Sequence, residues 1–393
     1  MTTKLCNGRI LSQDQIVVGK ALYFEQGKIK GITSEDLPAD VTIDVNNRYV
    51  SAGFIDLHTH GGGGFDFMDT EVAAVREAMK THGNHGTTSI MPTTLSCSTD
   101  ALKSSFACIK EALLQQSGLP HFLGVHLEGP YFSVSQCGAQ NPEYIKNPDR
   151  AEYEKILQDS FGLIRRWSFA PELPGSNAFC DFLLQNDIVP SIAHTDASYE
   201  EVCRVYEKGC RLLTHFYSCM SGITREKGAR KLGVIEAGYC LDDMYIELIA
   251  DGMHLPPDLL KMIVKLKCRD KICLVTDSMR GAGQKDGRSF LGRKGEETPC
   301  IIEDGVAKLM DKSAYAGSVA TADRLIRTMV KQADVSLIDA VKMMTKNPAD
   351  AMKLQKKGQL LDGYDADICV FDENIVISHV FVSGIQINDT EKQ

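Results

Sequence analysis

The chain has 393 residues, a net charge of −9 and 43% hydrophobic residues, which describes a soluble globular protein with room for one large domain and a smaller one. The acidic balance, with no basic stripe, argues against a nucleic-acid partner, and no apolar run approaches the ~20 residues of a membrane span. The N-terminus MTTKLCNGRILSQDQ lacks the charged start and apolar core of a signal peptide, and thirteen scattered cysteines never form C-x-x-C; they read as reduced thiols, mostly small core hydrophobes, in a cytoplasmic protein.

The first fifty residues read as short strands and turns. KLCNGRILS, QIVVGKALYFEQGKIKGIT and VTIDVNNRYV carry β-branched alternation broken by Gly, Asn and Asp. The C-terminal GQLLDGYDADICVFD and ISHVFVSGIQIND look the same. Neither end can bury a core alone. Residues 1–50 and 355–393 are therefore expected to pair into one small β-sandwich domain, flanking a catalytic domain over 51–354.

The middle changes character. Apolar runs at 50–60, 87–94, 122–130, 165–173, 188–196, 211–218, 245–254 and 271–277 read as strands. Between them lie helical stretches, most clearly EVAAVREAMKTHG, STDALKSSFACIKEALLQQ, DRAEYEKILQDSFGLI, ASYEEVCRVYEKG and PPDLLKMIVKLK. Asp, Ser or Pro near several starts suits N-caps and first turns. The alternation predicts the α/β class and a (β/α)8 TIM-type barrel. Near-continuous apolar strands suit a parallel sheet buried on both faces. An open doubly wound sheet would permit the same alternation, but the count of eight favours the barrel. Residues 279–316, rich in Gly and polar residues, look like an insertion after the last strand, with two more helices near 318–333 and 336–346.

The residues suited to chemistry collect at strand ends. His58 and His60 end the first run, Glu128 the third, His194 the fifth, His254 the seventh and Asp277 the eighth, and His215 lies in the sixth. In a barrel these C-terminal ends converge on one mouth. On a strand, residues i and i+2 share a side, so His58 and His60 can grip one cation. With His194, His215 and Glu128 they offer ligands for one or two divalent ions, such as Zn, Fe, Mn or Co. A bound ion lowers the pKa of its water to about 7, and Asp277 is placed to take that proton and pass it to a leaving amine. Taken singly, each residue has a plainer reading. A lone strand histidine is more often structural, and a strand-end Asp often only caps a helix. The set of six is what points to a site. His82 and His85 at a helix end and His379 in the β tail read as structural or surface, and His126 as a supporting or core residue.

These residues fall in motifs that resemble the amidohydrolase superfamily, and within it the N-acetylglucosamine-6-phosphate deacetylase family. The motifs are AGFIDLHTHGGGGFDFMD (52–69), HLEGP (126–130), GAQNPEYI (138–145), APE (170–172), AHTDAS (193–198), LTHFYSCMSG (213–222), IADGMHLPP (249–257), LVTDS (274–278), AGS (316–318) and KGQLLDGYDADICVFD (357–372). The resemblance implies hydrolysis of the acetamide of a 6-phosphorylated N-acetylamino sugar, with one or two divalent ions, zinc foremost. It implies that Glu128, His194 and His215 are the principal metal ligands and Asp277 the base. The presence of both His58 and His60 leaves room for a second ion. His254, Gln140, Ser218, Cys219 and the Ala316-Gly317-Ser318 stretch match substrate-binding positions. Arg225 matches an arginine that reaches the substrate phosphate, in some members from a neighbouring subunit, which implies a homodimer or homotetramer. Ser218 and Cys219 stand where members commonly have Asn and Ala, and Gln140 where some have His. The changes at Ser218 and Cys219 motivate one alternative, a related N-acyl amino-sugar phosphate such as N-acetylgalactosamine 6-phosphate; a second is a different amidohydrolase task on a non-sugar amide.

Overall fold

A computed structural model of the protein describes residues 1–115 and 117–388. Its centre is a parallel sheet of eight strands: β1 (Phe54–Thr59), β2 (Thr87–Thr94), β3 (Val125–Glu128), β4 (Ile164–Phe169), β5 (Val189–Ile192), β6 (Leu212–Leu213), β7 (Tyr245–Leu248) and β8 (Ile272–Leu274). Each strand pairs in parallel with the next. Just beyond β8 the chain meets β1 again. Thr59 and Ser278 form a parallel bridge, and the Asp277 amide donates to the His58 carbonyl at 2.8 Å. The sheet is thus a nearly closed barrel.

One helix follows each strand: α1 (Val72–Asn84), α2 (Thr99–Ala112), α3 (Arg150–Asp159), α4 (Ser176–Gln185), α5 (Tyr199–Lys208), α6 (Val234–Cys240), α7 (Pro257–Leu266) and α8 (Ala322–Lys331). Three of the expected starts are true caps. Ser98, Asp149 and Ser198 accept backbone N–H groups of α2, α3 and α5, and Ser198 forms a capping box with Glu201. The clearest sequence periodicities did not include α4 and α6. The first, SNAFCDFLLQ, is too apolar to show a polar face, and the second has only seven residues and contains Gly238.

Several strands stop earlier than their apolar runs. β6 keeps two residues of the run 211–218. The reason lies in the backbone: His194, His215 and Asp277 have φ of 47°, 30° and 44°. That left-handed conformation ends an extended strand at once. The insertion also differs from a plain loop. Gly287–Leu291, Thr298–Glu303, Val306–Leu309 and Tyr315–Ser318 form an antiparallel four-stranded sheet. Leu291, Cys300, Ile302 and Ala307 bury one face of it against Met279.

The strands of the two chain ends form a separate β domain. Tyr49–Ala52 pairs antiparallel with Ile368–Phe371, joining the two chain ends in one six-stranded sheet. A four-stranded sheet from Thr2–Cys6, Ala21–Glu25, Lys28–Thr33 and Val41–Asp44 packs on it through Leu5, Leu22, Phe24, Ile29, Val370 and Phe381. All thirteen thiols are free and seven are buried.

Inside the barrel lies one fully buried guanidinium. Arg166 on β4 donates to Ser191 Oγ of β5 (3.0 Å), the Leu57 carbonyl of β1 (3.1 Å), Thr214 Oγ1 beyond β6 (2.8 Å) and both carboxylate oxygens of Glu247 on β7 (2.8 Å to Oε2). Burial would raise the Glu247 carboxyl, but the Arg166 guanidinium, together with His58, outweighs it and holds the group below its usual range. Breaking a buried pair from one side strands the other charge. Arg166→Met is therefore expected to cost about 3–5 kcal/mol in denaturant unfolding. The Arg166→Met/Glu247→Leu double variant is expected to lose less than the two single variants summed.

Candidate active site

The barrel brings the strand-end residues into two adjoining groups. In the first, Glu128 Oε1 lies 3.2 Å from His194 Nε2 and 3.0 Å from His215 Nε2, and the two imidazole nitrogens are 3.2 Å apart. In the second, His58 Nε2 and His60 Nε2 are 3.2 Å apart, and Asp277 Oδ1 lies 3.1 Å from His60 and 3.4 Å from His58. Glu128 stands between the groups, with Oε2 3.4 Å from His60 and Oε1 3.6 Å from His58. All six residues are buried.

These separations suit a cation. Ligand atoms about 2.0–2.2 Å from an ion lie roughly 3.0–3.5 Å from one another. Two imidazole nitrogens facing each other can share only one proton, whereas an ion between them satisfies both lone pairs. The Nδ1 atoms of His58, His60 and His215 have no hydrogen-bond partner among the described residues. The electrostatics agree. Burial would lower the pKa of His60, yet its hydrogen bond to Asp277 and the field of Glu128 raise it to about 9. Burial would raise that of Asp277, yet His58 and His60 bring it down to about 2. The cluster favours positive charge beside its two carboxylates, and a divalent ion supplies it.

The surrounding side chains hold this arrangement. His194 donates from Nδ1 to the Gln136 carbonyl at 2.8 Å, leaving Nε2 turned inward. Gln140 donates from Nε2 to Glu128 Oε2 and accepts from the Ser96 amide, both at 2.7 Å. His126 is buried between Thr93 and Ser168 with its ring 4.7 Å from that of His58, and burial keeps it neutral. His82 bonds the Gly61 carbonyl, and burial lowers its pKa to about 4. His85 pairs with Asp323, and His379 lies in the β domain.

Above the two groups opens a cavity of about 210 Å³. His60, Glu128, His194, His215 and Asp277 form its floor, and Gln140, Ser218, Cys219 and His254 its sides. His254 Nδ1 is tied to Asp251 Oδ2 at 2.8 Å. The antiparallel insertion supplies the roof through Leu291, Ala314, Tyr315 and Gly317. No marked polarity in the sequence distinguished Leu291 or Tyr315. Gly317 has φ 78°, and a Cβ there would meet the Asp277 carbonyl at 3.1 Å, so this close approach requires glycine. Ala316 and Ser318 are buried behind it, and the Ser318 amide donates to the Asp277 carbonyl at 2.8 Å. Arg225 is elsewhere, on the exposed hairpin Thr224–Glu226/Ala229–Lys231. No lysine or arginine lines the cavity among the described residues.

Comparison with known proteins agrees with this architecture. The amidohydrolase family model matches residues 49–387. An N-acetylglucosamine-6-phosphate deacetylase of Lysinibacillus sphaericus is 31% identical over 368 residues, covering 92% of each chain. The structure of N-acetylglucosamine-6-phosphate deacetylase from Pasteurella multocida superposes with a TM-score of 0.91 at 27% identity, over 99% of this chain and 100% of that one. A mutant N-acetyl-D-glucosamine-6-phosphate deacetylase from Mycobacterium smegmatis, in complex with N-acetyl-D-glucosamine-6-phosphate, gives a TM-score of 0.88 at 26% identity over 99% of both chains. The chain belongs to the amidohydrolase family, in its N-acetylglucosamine-6-phosphate deacetylase branch. This family uses divalent metal, and the two residue groups are the candidate site for it. Chelation is expected to lower the unfolding temperature and re-addition of a divalent ion to restore it. Free ion at 100 times its Kd should add about 2.7 kcal/mol by differential scanning calorimetry.

Proposed function

We propose that the protein hydrolyses the acetamide of N-acetylglucosamine 6-phosphate to acetate and glucosamine 6-phosphate. The observation that carries this reading is the convergence of Glu128, His194, His215, His58, His60 and Asp277 beneath one cavity. In this reading Glu128, His194 and His215 hold one ion, zinc foremost, and His58 and His60 make a second possible beside Asp277. A divalent ion held there polarises a carbonyl and acidifies water. Asp277, its carboxyl at about 2, is ionised and able to accept a proton from the attacking water. As the C–N bond breaks, that proton passes to the departing amine nitrogen and the carboxylate is restored. His254, with Nδ1–H committed to Asp251, presents Nε2 as an acceptor for a sugar hydroxyl.

The phosphate needs a cation that the cavity lining lacks. Arg225, exposed on its hairpin, is suited to supply it to the site of a second copy, since a guanidinium binds phosphate bidentately. The protein is accordingly read as a homodimer, and its unpaired thiols suit the reducing cytoplasm. The galactosamine epimer and non-sugar amides are not favoured over this reading.

Acetate release from N-acetylglucosamine 6-phosphate, its galactosamine epimer and the unphosphorylated sugar tests the assignment. The first should give the largest kcat/KM; a much larger value for either of the others would overturn it. Asp277→Asn is expected to lower kcat by about 10²–10⁴-fold, and unchanged release would remove Asp277 as the base. Arg225→Ala is expected to raise KM for the phosphorylated sugar by about 10–100-fold with little change in kcat.

A further inference from the structure

A short loop runs over the outer side of the first ligand group. Its segment 133–136 is fastened by one exposed carboxylate. Asp196 Oδ2 accepts from the hydroxyls of Ser133 (3.0 Å) and Ser135, and Oδ1 accepts from Gln136 Nε2 at 2.5 Å. The carboxylate cannot easily swing away, because its own backbone is pinned. Glu172 accepts from the Asp196 amide at 2.7 Å and from Thr195 Oγ1 at 2.5 Å. The Ser133 amide, in turn, donates to the His194 carbonyl at 2.9 Å.

What this loop carries makes the fastening consequential. Its Gln136 carbonyl accepts the Nδ1–H of His194, which sets the tautomer and turns Nε2 towards Glu128. Four residues on, Gln140 donates to the other oxygen of Glu128. Between them Gly138 packs closely, since a Cβ there would lie 2.8 Å from Cys219 Sγ and 3.6 Å from the His194 ring. Displacing the loop therefore moves the partners of two of the three residues in the first group.

We propose that Asp196 is a positioning residue: it fastens loop 133–140 and so fixes the orientation of His194 and Glu128 for metal binding. The proposal rests on the assignment of those two residues as ligands. Partners behind a metal ligand typically matter 10–100-fold in affinity. The ion's dissociation constant, measured by chelator competition on the full-length protein, should therefore rise about 10–100-fold in Asp196→Ala. Asp196→Asn keeps one acceptor oxygen and should fall between. The unfolding temperature of the metal-free protein should stay near wild type, because the carboxylate is exposed. If Asp196→Ala does not fold, Gln136→Ala serves in its place. It removes the bond to Asp196 but keeps the backbone carbonyl, and should weaken ion binding in part. Wild-type affinity in the folded variant would overturn the proposal alone. A wild-type protein holding no ion would overturn the metal assignment beneath it.

Discussion

One guanidinium inside the barrel sets the frame for the whole site. Arg166 reaches from β4 to groups on or beside β1, β5, β6 and β7, so the register of five strands is referred to a single planar group. Its partner Glu247 is not only a counter-ion, because Oε2 also stands 3.9 Å behind His58 Nδ1. A buried ion pair gains little net energy against well-packed apolar residues. Its value here is geometric. It ties β1, β4, β5, β6 and β7 together at one level of the barrel, and the candidate ligands His58, His60, His194 and His215 stand at or just beyond the ends of three of them.

The second constraint is the turn of the backbone where strands stop. His194, His215 and Asp277 all adopt left-handed φ, as does Cys219 at 52°. Such residues are strained by about 1–3 kcal/mol each and persist only when their surroundings enforce them. The surroundings here can be named. Asp277 is held on both sides, by its own amide to the His58 carbonyl and by the Ser318 amide on its carbonyl. His194 is held by the Ser133 amide and by the Gln136 carbonyl. Turning the chain in this way helps bring side chains from five different strand ends within hydrogen-bond distance of one another, which a continued strand would point alternately in and out.

The cavity is divided by chemistry. Its floor is carboxylate and imidazole from the barrel, and its roof is largely apolar, from the insertion after β8. The floor residues are buried, which strengthens the electrostatic interactions among them. No lysine or arginine among the described residues lines the cavity.

Much of this was legible in the residues alone. Eight apolar runs alternating with amphipathic stretches determined the α/β class and by their count favoured the barrel, because a strand buried on both faces and a helix packed outside it leave different periodicities. The H-x-H spacing and the positions of Glu128, His194, His215 and Asp277 at run ends pointed to a candidate ligand set, because the C-terminal ends of barrel strands gather at one mouth. Other elements were fainter: α6 has too few residues for a period, and the strands of residues 287–318 lie in a stretch rich in Gly and polar residues that reads as loop. Only the tertiary structure decided what acts at a distance in sequence. The links from Asp196 to loop 133–136, from Gln140 to Glu128 and from Ser318 to Asp277 join residues with no periodic relation. Local pattern reports which face a residue shows. It does not report which carbonyl will be waiting there, and that depends on how far each loop travels once the barrel has closed.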